Sequence, residues 1–324
     1  MRKKIIYAAL FLAVVVGVIA FLGYKMFYGS AVDKRFEVTI ISDESYDANI
    51  AKVKEGIRYH AAFDFYADHI NLRDRLKAGV YTIEGGMTVI DVARMLKIGS
   101  NATIRITINN ARTPEALAGR IARQTSIDSV EMAATLRNKE LISRMGFNSA
   151  EAMFSIFLPN TYEVFPNIGA EELVVRLKDE SDRFWSKECN KAKLEDIGLN
   201  AYEVMTLASI VHEETNVVDE MPRVAGVYMN RLKKGMFLQA DPTVKYAVGD
   251  PSLKRILYRH LEVESPYNTY KHLGLPPTPI AMPDMAAIEA VLNYERHDYY
   301  YFCARAGLDG RHNFARTHAE RERN

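Results

Sequence analysis

The stretch AYEVMTLASIVHEETN, residues 201–216, has the three-and-four spacing of an amphipathic helix and ends in two adjacent acids. On such a helix Glu214 lies over Ile210 and Val211, on the more apolar side. Glu213 lies over more polar neighbours and is better placed for water. Apolar surroundings raise the pKa of a carboxyl group, as a general acid near neutral pH requires. The pattern alone still favours a simpler interpretation, in which both acids are solvated residues at a helix end.

The same stretch partly matches the zinc-protease motif H-E-x-x-H. His212 and Glu213 fill its first two positions, but Asn216 stands where the second histidine is required. Histidines elsewhere, such as His312 and His318, could supply further ligands, although nothing in their spacing demands it. The spacing therefore gives a metal site no support, and the sequence predicts neither a metal nor any other cofactor.

Composition limits the functions to be considered. The chain has 324 residues, and its 42 Lys and Arg balance 41 Asp and Glu to a net charge of +1. This balance gives no reason to expect nucleic-acid binding. The two cysteines, Cys189 and Cys303, are far apart in sequence and do not make a disulfide framework, so we expect them to be unpaired.

The N-terminus has the pattern of a membrane anchor. Three basic residues precede an unbroken apolar run, IIYAALFLAVVVGVIAFLG, close to the roughly 20 residues that cross a bilayer as a helix. No small-residue cleavage site follows the run, which favours an uncleaved anchor over a signal peptide. Because the basic residues come first, we expect the N-terminus to stay in the cytoplasm. The predicted segments are a cytoplasmic N-terminus (1–4), a transmembrane anchor (5–28) and a linker (29–34).

The rest of the sequence predicts an α+β protein with two regions. Residues 35–155 alternate short amphipathic helices with β-branched strands, too irregularly for a doubly wound parallel sheet. Residues 156–324 are predicted to be a mixed α+β domain that contains a long helix over about 170–193. The pair Asn148 and Glu151 predicts a helix start resembling a capping box shortly before the boundary.

Two further stretches have the composition of a sugar site. LQADPTVKYAVG contains Gln239 and Asp241 around a proline turn, and SPYNTYKHLGLPP contains Tyr267, Asn268 and Thr269 before a rigid loop. Aromatic faces cover the apolar side of a pyranose, while amide and carboxylate groups meet its hydroxyls. Taken singly, each residue is better explained by ordinary turns and caps. Together, beside Glu214, they favour a polyhydroxylated ligand.

Four sequence blocks resemble the YceG-like, or MltG-type, endolytic murein transglycosylases. They are LASIVHEETN, PRVAGVYMNRLKKGMFLQADPTVKYAVG, SPYNTYKHLGLPPTPIAMP and GRHNFARTHAE, which occur in this order over about the last 170 residues. KAGVYTIEGGMTVIDVARML resembles the LysM-like module of that family. The resemblance implies a LysM-like region over 35–155 and a YceG-like catalytic domain over 156–324.

The resemblance also assigns a catalytic residue. Family members usually have S-I-V-E-x-E-T at the first block, with the second acid catalytic, and here that acid is Glu214. The first acid is replaced by His212, which puts any auxiliary role of that position in doubt. Further residues of the family blocks are expected to line the cleft around the sugars: Gln239, Asp241, Tyr228, Asn230, Tyr267, Asn268 and Thr269.

The implied reaction is non-hydrolytic cleavage of the β-1,4 bond between N-acetylmuramic acid and N-acetylglucosamine within peptidoglycan strands, leaving a 1,6-anhydro end. Glu214 would act as general acid and base. The implied setting is the inner membrane, with the catalytic domain outside the cytoplasm beside nascent glycan, where cleavage would help to terminate strand elongation, and the implied partners are peptidoglycan synthases. Two alternatives remain open: a catalytically silent, membrane-anchored peptidoglycan-binding scaffold, and a zinc hydrolase that uses His212.

Overall fold

The computed structural model describes residues 2–41, 44–99, 103–109, 111–166, 168–250, 253, 255–307 and 309–324. Within these residues the fold is mixed α+β, mostly helical, with three separate two-stranded sheets. The chain divides into two compact units, one of residues 1–104 and 163–168 and the other of residues 105–162 and 169–324. These are units of packing, and the functional boundary near residue 155 stays a prediction.

The first helix, α1 (Arg2–Tyr28), is one continuous apolar helix. Its segment Phe11–Tyr28 has a mean hydropathy of 2.0 and is 0% buried, so it is long and apolar enough to cross a membrane. At its C-terminal end Phe27 packs against the first unit, with its ring 5.8 Å from that of Phe65 in an edge-on contact. The helix predicted from the apolar run is therefore present, and its role as an anchor stays a prediction.

The first unit is built on a small antiparallel sheet, in which Val38 is paired with Tyr81. Alternate residues of the second strand are buried, as the β-branched pattern predicts. The Tyr81 ring is completely buried, and its hydroxyl donates to the carbonyl oxygen of Lys77 at 2.6 Å. The elements of this unit after α1 are β1 (Phe36–Ile40), α2 (Tyr46–Lys54), α3 (His60–His69), β2 (Gly79–Ile83) and α4 (Val89–Ile98).

A sheet and a group of short helices follow in the chain, with most of their residues in the second unit. The helix predicted to start with a capping box at Asn148 begins instead after Ser149, whose hydroxyl accepts from the backbone N–H of Ala152 at 3.0 Å. The predicted helix start is therefore wrong by one residue. The elements are β3 (Ile104–Ile108), which pairs with β4 (Asn160–Val164), and between them α5 (Pro114–Ala122), α6 (Ser129–Leu136), α7 (Lys139–Arg144) and α8 (Ala150–Met153), the last followed by a 3-10 turn (Phe154–Ile156).

The prediction of a single long helix over about 170–193 is wrong, because two helices occupy this region. α9 (Ala170–Ser186) ends where Lys187 adopts an extended conformation, and α10 (Glu188–Ile197) follows directly. The side-chain amide of Asn190 donates to the carbonyl oxygen of Phe184 at 2.7 Å and so satisfies a carbonyl at the end of α9. Neither Lys187 nor Asn190 interrupts the helical periodicity of the sequence.

Three helices form the centre of the second unit. α11 (Ala201–Glu214) and α12 (Met221–Lys234) both pack against α15 (Met285–Leu292), and their apolar faces meet in one buried cluster. The remaining elements are α13 (Asp241–Val248), α14 (Tyr258–Leu261), the hairpin of β5 (Tyr301–Ala304) with β6 (His312–Ala315), and α16 (His318–Arg323). Cys189 and Cys303 are both free thiols.

Candidate active site

Helix α11 delivers Glu214 to the site. The helix starts at a capping box, in which the Asn200 side chain accepts from the backbone N–H of Glu203 and the Glu203 carboxylate accepts from that of Asn200. Every residue over 204–211 is buried, which fixes the helix in the core. It ends at Glu214 because Thr215 turns to an extended conformation, so the Glu214 carboxyl group lies at the boundary between core and cavity.

Glu214 is hydrogen bonded to a buried tyrosine on the neighbouring helix α12. The Tyr228 hydroxyl donates to Oε1 of Glu214 at 2.5 Å, and only 1% of Tyr228 is exposed. The rings of Tyr228 and Phe302 of β5 meet edge-on, with their centroids 5.9 Å apart. Because Tyr228 occupies Oε1, a proton on Glu214 belongs on Oε2.

The surroundings of Glu214 place its titration near neutral pH. The pKa of Glu214 is raised to about 7, chiefly by burial and also by the negative charge of Asp241, while the hydrogen bond from Tyr228 acts in the opposite direction. The sequence prediction of an apolar environment that raises this pKa is therefore confirmed. At neutral pH both the acid and the carboxylate form are accessible, so one group can give a proton and later accept one.

The position of Glu213 on the helix predicts that its side chain faces water. The structure shows otherwise. Its side chain is only 15% exposed, and Oε2 lies 2.6 Å from a guanidinium nitrogen of Arg112. The helical pattern could not predict this because Arg112 is far away in sequence. The two adjacent acids thus differ: Glu213 is neutralised by a cation, whereas Glu214 is hydrogen bonded to a neutral hydroxyl.

His212 is paired with a carboxylate of its own. Its Nδ1 lies 3.4 Å from Oδ2 of Asp284 at the start of α15, an ion-pair contact without hydrogen-bond geometry, and the Asp284 carboxylate raises the pKa of His212. In the described part of the chain no three His, Cys, Asp or Glu side chains are grouped as metal ligands. The geometry therefore gives the zinc interpretation of His212 no support.

Glu214 lies in the wall of a cavity of about 610 Å³. Three of the residues predicted to line the cleft, Gln239, Asp241 and Tyr228, line this cavity with Glu214. Gln239 has a left-handed backbone (φ 51°), and its N–H donates to the carbonyl oxygen of Thr269 at 3.1 Å. The cavity is thus large enough for sugar rings and combines carboxylate, amide and aromatic groups.

A second cavity, of about 820 Å³, shares part of that wall. Glu214, Asp241, Tyr270 and Arg321 line both cavities. The hydroxyl of Tyr270 donates to Oδ1 of Asp241 at 2.7 Å, which fixes both side chains in the shared wall. Glu214 is therefore accessible from two adjoining spaces.

Four predicted site residues do not line either of these cavities. Asn230 donates its amide to the backbone carbonyls of His297 and Tyr299. The other three are hydrogen bonded within the protein. The hydroxyl of Tyr267 lies 2.9 Å from that of Thr278, Asn268 is fully buried and hydrogen bonded to backbone, and the Thr269 hydroxyl accepts from the N–H of Ala240. Direct substrate contact by these residues stays a prediction.

Sequence reasoning missed several residues of the site. Arg231 lines the first cavity and is 7% exposed, and its guanidinium donates to the carbonyl oxygens of Tyr300 and Leu238 at 2.7 Å, which ties β5 to the Gln239 loop. His312 and His318 also line the cavity. The terminal block GRHNFARTHAE contains both histidines, but no spacing rule connects that block with α11.

Three comparisons with known proteins agree with this architecture. A family model described as the YceG-like family matches residues 38–324. A protein named endolytic murein transglycosylase from Bacillus subtilis (strain 168) is 29% identical over 274 residues, which are 80% of this chain and 75% of that protein. A protein of the same name from Streptococcus pneumoniae serotype 2 is 26% identical over 301 residues, covering 83% of this chain and 53% of the relative, so this chain spans about half of it.

A solved structure gives the same assignment. The crystal structure of a putative yceG-like protein from Listeria monocytogenes matches with a TM-score of 0.58 at 26% identity, covering 90% of this chain and 99% of that one. The resemblance found in the sequence blocks is therefore confirmed. Because the family model matches nearly the whole chain, the chain belongs to the YceG-like family.

Proposed function

We propose that the chain is an endolytic lytic transglycosylase of peptidoglycan, which cleaves the β-1,4 bond between N-acetylmuramic acid and N-acetylglucosamine and leaves a 1,6-anhydro end. The observation that carries the proposal is the Glu214 carboxyl group, whose pKa is raised to about 7 in a wall shared by two cavities. The relatives named endolytic murein transglycosylase supply the substrate class.

In the proposed reaction Glu214 transfers a proton twice. As an acid, Oε2 protonates the glycosidic oxygen as the bond to the anomeric carbon breaks. As the resulting carboxylate, it takes the proton of the C6 hydroxyl while that oxygen closes on the anomeric carbon. Glycosidases that use water or an enzyme nucleophile normally need two carboxylates, but a hydroxyl on the same sugar has a very high effective concentration and removes that need.

The residues around Glu214 support this double role. The hydrogen bond from Tyr228 stabilises the carboxylate after the first transfer, while burial and Asp241 favour the acid before it. The opposing effects hold the pKa near the middle of the range in which both transfers are efficient. Asp241 itself is hydrogen bonded to Tyr270, which suits an electrostatic and substrate-orienting role.

The two cavities support cleavage within strands. A glycan that occupies both would pass Glu214 with sugars on each side of the scissile bond, and an end of the strand is not required. Gln239 in the first cavity and Asp241 in the shared wall offer amide and carboxylate groups to sugar hydroxyls.

The proposed setting is the outer face of the cell membrane. The basic residues ahead of α1 favour a cytoplasmic N-terminus, and α1 would be a single-pass anchor that leaves the rest of the chain in the periplasm or its equivalent. The LysM-like region 35–155 would hold glycan, and cleavage beside the membrane would help to terminate nascent strands made by peptidoglycan synthases.

The test is product analysis of purified sacculi incubated with the full-length protein. We expect new glycan ends to be 1,6-anhydro sugars, identified by mass spectrometry after complete digestion. New reducing ends would indicate hydrolysis with Glu214 and Asp241 as a carboxylate pair. Binding to sacculi without any new end would support the alternative, a catalytically silent peptidoglycan-binding scaffold.

A further inference from the structure

A buried glutamate holds a histidine at the edge of the Glu214 cavity. Glu220, at the start of α12, is 4% exposed, and its Oε2 lies 2.7 Å from Nδ1 of His312. Its other oxygen, Oε1, accepts from the backbone N–H of His312 at 3.0 Å. Both oxygens of the carboxylate therefore bind the first residue of β6, which fixes the position of the imidazole.

This pairing determines which nitrogen of the ring is available. A carboxylate only accepts hydrogen bonds, so Nδ1 of His312 carries the hydrogen and Nε2 of the neutral ring presents a lone pair. Among the described residues Nε2 has no hydrogen-bond partner, and it is not one of the buried unsatisfied atoms. The side chain is 13% exposed, and His312 lines the cavity of Glu214.

Ring contacts connect His312 with Glu214. Phe302 of β5 meets the imidazole edge-on at 5.1 Å between ring centroids, and the same Phe302 meets the ring of Tyr228 edge-on at 5.9 Å. Tyr228 in turn donates to Glu214. One packed row of side chains therefore sets the position of His312 relative to the proposed acid, from β6 through β5 and α12 to the end of α11.

We propose that His312 is a substrate-binding residue, whose Nε2 accepts a hydrogen bond from a hydroxyl or amide proton of the saccharide bound against Glu214. Glu220 is its positioning residue, because it fixes the tautomer that leaves Nε2 an acceptor. A sugar offers such donors on its ring hydroxyls and its N-acetyl groups. The identity of the ligand as a saccharide rests on the proposed function.

The test uses two substitutions that separate the two ring nitrogens. In His312→Asn the short amide can keep the contact with Glu220 but does not reach the position of Nε2. In His312→Gln the longer amide reaches that position and gives up the contact with Glu220. We expect the first variant to melt like the wild type and to lose about tenfold or more in kcat/KM on glycan strands, and the second to recover part of that loss.

A binding measurement makes the result independent of catalysis. In the Glu214→Gln background, we expect His312→Asn to weaken the affinity for a tetrasaccharide of alternating N-acetylglucosamine and N-acetylmuramic acid by about tenfold. Exposed His272→Asn is the matched control and should leave the affinity unchanged. Glu220→Gln, which removes the constraint on the tautomer, should weaken binding in the same direction.

Two results would overturn the proposal. If His312→Asn binds the tetrasaccharide with wild-type affinity, the histidine only holds the β5–β6 hairpin. The same conclusion follows if, in both His312→Asn and His312→Gln, the loss of activity or affinity parallels a fall in melting temperature. If the wild type binds the tetrasaccharide but never cleaves glycan, the proposed function fails while the role of His312 in binding is still decided by these affinities.

Discussion

Tyr228 Oη and Glu214 Oε1 lie 2.5 Å apart, in a hydrogen bond that joins the end of α11 to the middle of α12. The donor is a buried hydroxyl with no formal charge, so it stabilises the carboxylate without neutralising it as a cation would. Glu213 is the contrast, because its carboxylate faces the guanidinium of Arg112. Burial is what raises the pKa of Glu214, and the Tyr228 hydroxyl opposes that rise without adding a positive charge beside the carboxyl group.

Substitution Tyr228→Phe removes this hydrogen bond and keeps the ring. Because the bond lowers the pKa of Glu214, its loss should raise that pKa above about 7 and move the alkaline limb of the activity profile to higher pH. We also expect kcat to fall by about tenfold, since the carboxylate needed for the second proton transfer loses its stabilising donor. A pH–rate profile measures both effects, and a limb that moves to lower pH would refute the assigned direction.

The wild type should lose activity as the pH rises through about 7, because the first step needs protonated Glu214. Above that pH the rate should fall about tenfold for each unit. Initial rates of anhydro-end formation between pH 5 and 9 test this, with binding to sacculi measured in parallel at each pH. A rate that keeps increasing to pH 9 would exclude Glu214 as the acid.

The raised pKa of Glu214 also has a consequence for stability. Its folded-state value of about 7 lies above the ordinary 4.5, so its contribution to stability is fully present below pH 4.5 and is lost as the pH rises through 7. Glu214→Gln cannot ionise and should therefore be more stable than the wild type at pH 8, by on the order of 2 kcal/mol, and equal to it at pH 4. Melting curves of the detergent-solubilised chain at both pH values measure the difference, and equal stability at pH 8 would contradict the buried environment.

Asn268 should prove to be structural. Its amide donates to the carbonyls of Leu261 and Val263, and its oxygen accepts from the N–H of Tyr270, all in a fully buried position. Asn268→Ala should therefore cost about 2–3 kcal/mol of stability, whereas exposed Asn216→Ala should cost almost none. Chemical denaturation compares the two. If Asn268→Ala melts normally and loses only glycan affinity, Asn268 contacts substrate after all.

Helical spacing placed Glu214 on the more apolar side of α11, but the pattern alone still favoured two solvated acids and wrongly placed Glu213 toward water. The partners of these acids were not predictable in this way. Arg112 is 101 residues from Glu213, and His312 is 92 residues from Glu220. Such pairs depend on tertiary packing, which leaves no periodic signal in a single sequence.

The helices and strands were also predictable only where the sequence carries a local signal. The first unit contains short helices and β-branched strands, as the sequence predicts, because caps and β-branched alternation are local signals. The break at Lys187 was missed because no glycine or proline marks it in the sequence. Of the family-block residues, Gln239 and Asp241 line the cavity, whereas the Thr269 hydroxyl accepts from the N–H of Ala240, between those two residues in the chain.

The most direct test of the account compares the glycan ends released from sacculi by the wild type and by Glu214→Gln. The matched control is Glu203→Gln on the same helix, where a glutamine can still complete the capping box. We expect the wild type and the control to produce 1,6-anhydro ends at equal rates, and Glu214→Gln to fold normally with a rate at least 10² to 10⁴ lower, about the contribution of general acid–base catalysis. Anhydro ends formed by Glu214→Gln at the wild-type rate would contradict the central role of Glu214.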